Sequence, residues 1–416
     1  MAISNQALSP ELTWLYGTQM FGMKLGLENT QRLMKTLGLE ERIEGKRILH
    51  IAGTNGKGSV CAFADAMLRA AGKSPGLFTS PHLVTFRERI RVGGQLIPTR
   101  RLHQIIRKLR DLVSDWELHP TFFELTLAVA LQHFVDTGAD PIILETGMGG
   151  RYDATNALDG TVSVITPVSF DHEAWLGNTL AKIAWEKAGI IKSGRPVVLA
   201  PQNPEAREVL LAAASALNAP VHEVIKPCED PLGLAGRHPR WNAAAAVTAV
   251  RLLDPSVSES SIREGLATAR WPGRFQRVGA LHVLDGAHNP AGMETLVTTW
   301  RDFFGDARAR VIFGAVRGKD TAAMLRMLGG IASSIRWVGI SSQRGLLATE
   351  LETLWRTQVA SDFPAVETAT CVSLGEALRI SPATGHVPTL ICGSLYLVGA
   401  ALDRLEGRRA FEVSEQ

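Results

Sequence analysis

A short apolar run followed by a glycine-rich turn and a lysine constrains this chain more than any other stretch. Residues 48–52 read Ile-Leu-His-Ile-Ala and predict a buried strand. The turn over 53–56 leads into Lys57-Gly58-Ser59, after which apolar residues recur at helical spacing as far as Gly72. Free N–H groups and the dipole at a helix start favour an anion, and Lys57 adds a full positive charge. The stretch therefore predicts a cradle for a polyphosphate.

The position of the lysine separates two classes of phosphate-binding loop. In the G-x-x-x-x-G-K-[ST] loop of P-loop enzymes the lysine directly precedes the hydroxyl residue, whereas here Gly58 lies between Lys57 and Ser59. This spacing resembles the loop of the Mur-ligase superfamily, whose members join carboxylates to amines using ATP. A glycine turn with a surface lysine is the structural alternative, but the flanking strand and helix favour phosphate binding.

Length and composition favour a two-domain enzyme without a nucleic-acid or membrane partner. A chain of 416 residues exceeds most single domains, and 45% hydrophobic with 20% charged residues is ordinary for a globular enzyme. A formal net charge of +3 is too small to predict affinity for nucleic acid or a membrane surface. The four cysteines lack pairing or metal-ligand spacing, and the N-terminus lacks a signal-peptide pattern. We therefore expect a cytoplasmic protein with reduced thiols.

Acidic and imidazole side chains follow two further predicted strands. The strand over 140–145 ends in Glu145, and Asp171-His172 comes shortly after the strand over 162–166. Ligands of open α/β sheets bind at the carboxyl ends of the strands, where a carboxylate can hold Mg²⁺ on a nucleotide. A capping role for Glu145 and a satisfied loop position for His172 are the alternatives. The convergence of several strand ends favours a site.

Several other polar residues have structural explanations. Ser80 follows a short predicted strand and can be a turn former. Glu124 stands three residues after Thr121, which is the capping-box arrangement at a helix start. The segment over 87–91 contains three arginines and a glutamate and indicates a hydrophilic stretch.

A helix is predicted over 179–188, with Asn178 as its cap and Gly189 beyond its end. Lys187 lies in its last turn, where a lysine commonly offsets the helix dipole. Spacing alone therefore assigns Lys187 a structural role. Near the N-terminus, the segment over 25–28 indicates a loop that leads into an amphipathic helix.

A second α/β unit begins after the Trp-Pro-Gly-Arg stretch over 271–274, which interrupts the helical pattern and marks the predicted domain boundary. The strand over 282–285 ends in Asp285, and Asn289 caps a helix that begins with Pro290. Further parallel strands are predicted over 311–313, 337–340 and 389–392. The pattern predicts a smaller doubly wound sheet, and two such domains facing each other form a cleft.

At this point the motifs resemble one family, the folylpolyglutamate synthases and dihydrofolate synthases. The motifs that carry the resemblance occur in order at 50–59, 79–83, Glu145 with its glycines, 151–156, 171–172, 186–192, 271–274 and 285–290. The similarity runs from about Leu25 to Gly399, nearly the whole chain. It implies an α/β fold with an N-terminal P-loop-type Mur-ligase ATPase domain over 1–273, which carries a pterin pocket. The resemblance also implies a smaller C-terminal Rossmann-like glutamate ligase domain over 274–416, with the active site in the cleft between the two domains.

The resemblance also implies roles for individual side chains. Contacts to ATP are implied for Thr54, Asn55, Gly56, Lys57, Gly58, Ser59, Asn242, Arg274, Asp285 and His288. Metal contacts are implied for Ser80, Glu145 and His172, and catalytic roles for Lys57, Asp171, His172 and Lys187. Lys187 matches a lysine that is carbamylated in the family, so the resemblance overrides the dipole interpretation. The pterin pocket is implied for Leu25, Gly26, Leu27, Glu28 and Phe123. Family members commonly carry His-Asn before the asparagine at 242, whereas this chain has Pro239 after His238.

The implied reaction is ATP-dependent addition of L-glutamate to dihydropteroate, to the glutamate tail of reduced folates, or to both, through an acyl phosphate. The resemblance implies ATP and two Mg²⁺ ions as cofactors, and we expect a monomer with small-molecule partners only. Two alternatives stay open. A different Mur-type amide ligase would share the loop, although only about fifty residues precede it here and a nucleotide-sugar domain is not expected. An ATP-binding switch protein would share the loop and form no amide.

Overall fold

Two sheets with parallel strands organise the chain, and helices cover both faces of each. The computed structural model describes residues 8–22, 26–380 and 388–407. The strands of the first sheet are β1 Ile48–Ala52, β2 Gly76–Phe78, β3 Ile90–Val92, β4 Gln95–Leu96, β5 Ile142–Glu145, β6 Val162–Ile165, β7 Val197–Leu199 and β8 Val221–Glu223. Those of the second sheet are β9 Gln276–Val278, β10 His282–Leu284, β11 Ala309–Phe313, β12 Ala332–Val338, β13 Glu367–Cys371 and β14 Thr389–Cys392.

The helices fall between these strands in the alternating order typical of α/β proteins. Before β9 they are α1 Pro10–Gly17, α2 Glu28–Thr36, α3 Glu40–Ile43, α4 Lys57–Ala70, α5 Thr99–Val113, α6 Phe122–Thr137, α7 Glu173–Leu176, α8 Leu180–Ala188, α9 Pro204–Ala216, α10 His238–Leu253 and α11 Glu259–Thr268. After β10 they are α12 Pro290–Phe304, α13 Thr321–Gly329, α14 Ala348–Gln358, α15 Leu374–Ile380 and α16 Leu395–Glu406. Within the described residues, none of these helices combines the length and apolarity needed to cross a bilayer.

The first sheet has the order β4-β3-β2-β5-β1-β6-β7-β8 and puts β1 at its centre. β1 pairs in parallel with β5 and β6, with Ile51 opposite Glu145 and Leu49 opposite Val162. All three strands are buried on both faces, as expected for parallel strands between helix layers. Their carboxyl ends therefore meet at one edge of the sheet, where the loops after β1, β5 and β6 lie side by side.

The second sheet has the order β13-β12-β11-β14-β10-β9, with only the β9–β10 pair antiparallel. Its core contains fully buried Trp300, Trp337 and Phe313. The strands of the first sheet all precede residue 271, and those of the second all follow it. The chain thus has the predicted α/β fold with two sheets, whereas the domain boundary at 273/274 stays a prediction.

Local predictions are confirmed where a cap or a turn fixes the chain. Thr121 and Glu124 form the predicted reciprocal capping box at the start of α6, with backbone-to-side-chain distances of 3.3 and 2.7 Å. The side chain of Asn289 caps α12, which begins with Pro290 as predicted. The four cysteines are all free thiols, consistent with their predicted reduced state.

Three local predictions are wrong. The cap of α8 is Thr179, whose hydroxyl accepts from the N–H of Lys182, and not Asn178. Strand β12 ends at Val338, so Ile340 lies in the loop that follows the strand. Arg89, expected on a hydrophilic stretch, is fully buried with its guanidinium above the rings of Phe86 and Phe122, at 5.7 and 5.4 Å from their centroids.

Candidate active site

The phosphate loop connects β1 to α4 as the sequence predicts. Gly53 and Gly56 have φ values of +142° and +95°, which favour glycine. A Cβ on Gly53 would lie 1.8 Å from Oγ1 of Thr166, and one on Gly56 would lie 2.6 Å from Oδ1 of Asn242. The end of β6 and helix α10 therefore pack directly against the loop. The first N–H groups of α4, which have no partner within the helix, begin at Lys57.

Two lysines converge on one carbonyl oxygen of this loop. Nζ of Lys57 donates to the carbonyl oxygens of Gly53 at 3.1 Å and Thr54 at 3.3 Å. Nζ of Lys187 donates to the same oxygen of Gly53 at 2.9 Å from the end of α8. Burial lowers the pKa of Lys187 to about 7, and repulsion by Lys57 contributes to the shift. Lys187 thus reaches the phosphate loop, which helical spacing alone does not predict.

Glu145 supplies a buried carboxylate at the end of β5. Its Oε2 accepts a hydrogen bond from the backbone N–H of Ser80 at 3.2 Å, which joins the ends of two neighbouring strands. Burial raises the pKa of Glu145, while Lys57 and the Ser80 N–H oppose this rise. Among the described residues no three His, Cys, Asp or Glu side chains form a metal-ligand cluster. A single carboxylate with a neighbouring hydroxyl is nevertheless a common protein contribution to Mg²⁺, whose other ligands are phosphates and water.

Asp171 and His172 follow β6 and face the second domain. The carboxylate of Asp171 forms an ion pair with Lys319 and accepts from Nδ2 of Asn289 at 3.2 Å and from the N–H of His172 at 2.8 Å. Burial alone would raise the pKa of Asp171, but His172 and Lys319 hold it well below its usual range. Burial lowers the pKa of His172 to about 4 despite the attraction of Asp171, so its imidazole is neutral at pH 7. A neutral imidazole is the form that can bind a metal.

The second domain presents a tight turn to the cleft. Oδ2 of Asp285 accepts from the N–H of Phe275 and Oδ1 from that of Ala287, both at 2.8 Å. Burial raises the pKa of Asp285, and Arg274 opposes the rise. Nδ1 of His288 lies 2.7 Å from the carbonyl oxygen of Gly286, and burial lowers the pKa of His288 to about 4. Asp285 therefore fixes the shape of the turn from which His288 projects.

Asn242 carries an unsatisfied polar atom at the loop. Its side chain is buried on α10, and its Oδ1 has no hydrogen-bond partner in the part of the chain that the structure describes. Buried polar atoms are rarely left unpaired, so an acceptor of this kind indicates a missing ligand or water. Pro239 occupies the first turn of α10, where its missing N–H is not needed. The departure from the family pattern at 239 therefore leaves the helix, and Asn242 on it, intact.

The cleft between the two domains encloses a cavity of about 250 Å³. The predicted residues that line it are Thr54, Asn55, Gly56, Lys57, Gly58, Ser59, Ser80, Glu145, Asp171, His172, Lys187, Asn242, Arg274, Asp285 and His288. These residues come from positions far apart in the sequence, and the edges of the two sheets bring them together.

Of the described residues assigned to a pterin pocket, none lines this cavity itself, although Phe123 contacts Gly147, which does. The ring of Phe123 packs on Gly147, where an added Cβ would lie 2.6 Å from Cζ. The carboxylate of Glu28 folds over Gly26, where an added Cβ would lie 2.2 Å from Oε2. Leu27 is the N-cap residue of α2. Leu25 lies outside the described residues, so the pocket as a whole stays a prediction.

Sequence reasoning missed Lys319 and treated Asn289 only as a helix cap. Both line or border the cleft, and both contact Asp171. Lys319 lies in the turn that follows β11, in the stretch Val-Arg-Gly-Lys over 316–319. A glycine and a lysine after a parallel strand are the same signal that indicates the phosphate loop, so the strand-end rule could have identified Lys319.

The fold and the site together define a two-domain, ATP-dependent ligase of the Mur type. Residues 273–381 match the family model "Mur ligase, glutamate ligase domain". The chain is 36% identical to the dihydrofolate synthase/folylpolyglutamate synthase of Bacillus subtilis, over 82% of this chain and 86% of that protein. It is 32% identical to the protein of the same name from Escherichia coli, over 97% and 98% of the two chains.

Solved structures of proteins from the same family are also similar to this chain. The structure of Escherichia coli FolC in complex with DHPP and ADP has a TM-score of 0.85 at 30% identity, and covers 98% of this chain and 100% of that one. A bifunctional folylpolyglutamate synthase/dihydrofolate synthase with Mn, AMPPNP and L-glutamate bound has a TM-score of 0.82 at 29% identity, and covers 96% and 99%. The chain belongs to the dihydrofolate synthase/folylpolyglutamate synthase family.

Proposed function

We propose that this enzyme joins L-glutamate to dihydropteroate, to the glutamate tail of reduced folates, or to both, in the interdomain cleft. The observation that carries the proposal is the convergence of Lys57, Lys187 and the start of α4 on one cavity that also contains the Glu145 carboxylate. Relatives of the same length and fold bind DHPP, L-glutamate and adenine nucleotides. Together these observations support a ligase that uses a nucleoside triphosphate.

The residues present fit a nucleotide and its metal ion. The α4 N–H groups with Lys57 suit the phosphates, and the unpaired Oδ1 of buried Asn242 suits a donor on the nucleotide. We assign Mg²⁺ to Ser80 and Glu145, and a second ion to His172. When bound, these ions would neutralise phosphate charge during the transfer.

The reaction follows in two steps. A substrate carboxylate oxygen attacks the γ-phosphorus of ATP, the bond to the β–γ bridging oxygen breaks, and an acyl phosphate and ADP result. The amine of L-glutamate then attacks the acyl carbon, phosphate leaves with the bonding electron pair, and the amine loses a proton. The first step brings two anions together, so its barrier is largely electrostatic. Lys57 and the loop N–H groups offset that charge from fixed positions.

Lys187 is assigned as a carbamylated lysine. Carbamylation requires the neutral amine, and a pKa of about 7 leaves a large neutral fraction at physiological pH. The product is an anion, which would replace the repulsion between Lys187 and Lys57 by attraction and could contribute to metal binding. Mass spectrometry of the intact protein under bicarbonate and after acid treatment tests this assignment, because a carbamate adds a mass that acid removes.

Product analysis tests the function and separates its alternatives. The protein is incubated with ATP, Mg²⁺ and L-glutamate, and either dihydropteroate or a reduced folate is offered separately. We expect a product that carries one added glutamate, with one ADP released for each amide bond formed. Amide formation with only one acceptor would restrict the substrate class. A different Mur-type ligase would leave both acceptors unchanged, and a switch protein would form no amide with any acceptor.

We also propose that the protein is a cytoplasmic monomer without a nucleic-acid partner. The small net charge and the free, mostly buried thiols support this. Light scattering of the purified chain would give a mass near 45 kDa for a monomer.

A further inference from the structure

The two domains meet through a group of polar side chains centred on one carboxylate. Asp171 belongs to the first domain, while its partners Lys319 and Asn289 belong to the second. The Asp171 and Lys319 side chains are only 10% and 9% exposed. The ion pair is therefore largely removed from water, and it exists only while the domains are together.

Asn289 extends this contact to the phosphate loop. Its Nδ2 donates to Oδ1 of Asn55 at 3.2 Å, and Nδ2 of Asn55 donates to its Oδ1 at 3.3 Å. The same Oδ1 accepts from the N–H of Gly292 at 2.8 Å, which fixes Asn289 to the start of α12. A helix of the second domain is thus joined to the loop that would hold the phosphates.

The contacts of Lys319 and Asp171 favour a role in joining the two domains. Asp171 accepts hydrogen bonds from three different residues, Lys319, Asn289 and the N–H of His172, so both of its carboxylate oxygens are already engaged. The charge of Lys319 is already matched by Asp171. Breaking a desolvated ion pair by removing one partner is strongly unfavourable, because the other charge stays buried.

We propose that Lys319 and Asn289 are positioning residues that hold the second domain over the phosphate loop through Asp171, and so exclude water from the acyl phosphate. This inference rests on the proposed function. Water that reaches an acyl phosphate cleaves it to the carboxylic acid and phosphate, so ATP is consumed without amide formation. Closure of this kind protects reactive intermediates in other enzymes.

The first test measures ADP and amide in the same reaction for Lys319→Met. We expect the amide turnover to fall about 10²-fold, as for a misplaced catalytic arrangement. The ratio of ADP to amide rises clearly above one, because water competes for the intermediate. Arg317→Gln is the matched control: Arg317 lies two residues away in the same turn and pairs with Glu350 inside the second domain. Its ratio should stay at one.

A double-mutant cycle tests whether the pair acts as a unit. Asp171→Asn, Lys319→Met and the double variant are compared, with thermal unfolding as the folding control. We expect the double variant to be no worse than the worse single variant. Losses that multiply, or a Lys319→Met variant with a raised KM for ATP and an unchanged ADP-to-amide ratio, would overturn the proposal. The latter result would make Lys319 a phosphate ligand.

Solution scattering provides a readout that does not depend on amide synthesis. With a non-hydrolysable ATP analogue and Mg²⁺, Lys319→Met should have a larger radius of gyration than the parent protein and Arg317→Gln. Equal radii for all three would overturn the proposed closure. If the parent protein forms no amide with any acceptor, the proposed function fails, whereas the scattering comparison still decides whether the pair holds the domains together.

Discussion

Replacing Lys57 by alanine removes the cation that the phosphate loop presents to the cleft. Nζ of Lys57 donates to the carbonyl oxygens of Gly53 and Thr54, at 3.1 and 3.3 Å, and no carboxylate of the described residues lies within ion-pair distance of it. Its charge is therefore available to a polyphosphate. The variant tests whether this loop offsets charge during acyl phosphate formation.

Lys57→Ala should have a large effect on turnover and a small effect on the free energy of unfolding. Loss of one preorganised donor at a site of developing charge typically lowers turnover by about 10²–10³-fold, or roughly 2.7–4 kcal/mol. The Lys57 side chain is only partly buried and leaves no carboxylate unpaired when it is removed. We therefore expect the free energy of unfolding to change by about 1 kcal/mol or less. A large catalytic loss with a small stability change is the signature of a charge used in the reaction.

The assay combines ADP release, amide formation and urea unfolding on the same preparations. Lys182→Ala is the matched control, because Lys182 is an exposed lysine on α8 whose Nζ donates to Oδ1 of Asn178, at 3.3 Å. It should keep the parent turnover. Near-normal ligation by Lys57→Ala would refute the phosphate assignment, and equal losses in both variants would point to a general effect of removing surface charge.

Three other perturbations have outcomes that follow from named contacts. Gly53→Ala places a Cβ 1.8 Å from Oγ1 of Thr166 and should lower the free energy of unfolding by about 1–3 kcal/mol through overpacking, measured by urea denaturation. Burial raises the pKa of Asp254, but hydrogen bonds from Ser256 and Arg47 hold this pKa well below its usual range. The ionised carboxylate therefore stabilises the fold above about pH 4, and this stabilisation is lost as the pH falls. Asp254→Asn should therefore unfold more easily than the parent at pH 7, and the difference should narrow below about pH 4. Chelation of divalent ions should abolish ADP formation while leaving the thermal midpoint nearly unchanged, and re-added Mg²⁺ should restore activity.

The sequence predicts well those features that depend on neighbouring residues. The strand, turn and helix around Lys57 follow from hydrophobic period and glycine spacing, and the cap at Asn289 follows from its position before Pro290. The strand-end rule also predicts that Glu145 faces the cleft, since parallel strands share one edge.

The features that sequence misses depend on distant parts of the chain. Lys319 and Asp171 are 148 positions apart, and only the packing of two domains brings them together. Lys187 looks like an ordinary helix-end lysine until α8 is packed beside the phosphate loop, which lies 134 positions earlier. Arg89 looks exposed because its neighbours are polar, yet aromatic rings bury its guanidinium. Periodicity carries no information about such partners.

The cleft contains two kinds of lysine, and their partners indicate what each is for. Lys319 is matched by a buried carboxylate from the other domain, so its charge holds the domains together and is not available to a substrate. Within the described parts of the chain, Lys57 and Lys187 share the carbonyl oxygen of Gly53 and have no carboxylate within ion-pair distance. Burial and the nearby charge of Lys57 lower the pKa of Lys187 to about 7, so Lys57 carries the persistent positive charge at this oxygen. A polyphosphate pairs with that charge, so the loop has an electrostatic reason to bind the nucleotide before the amide can form.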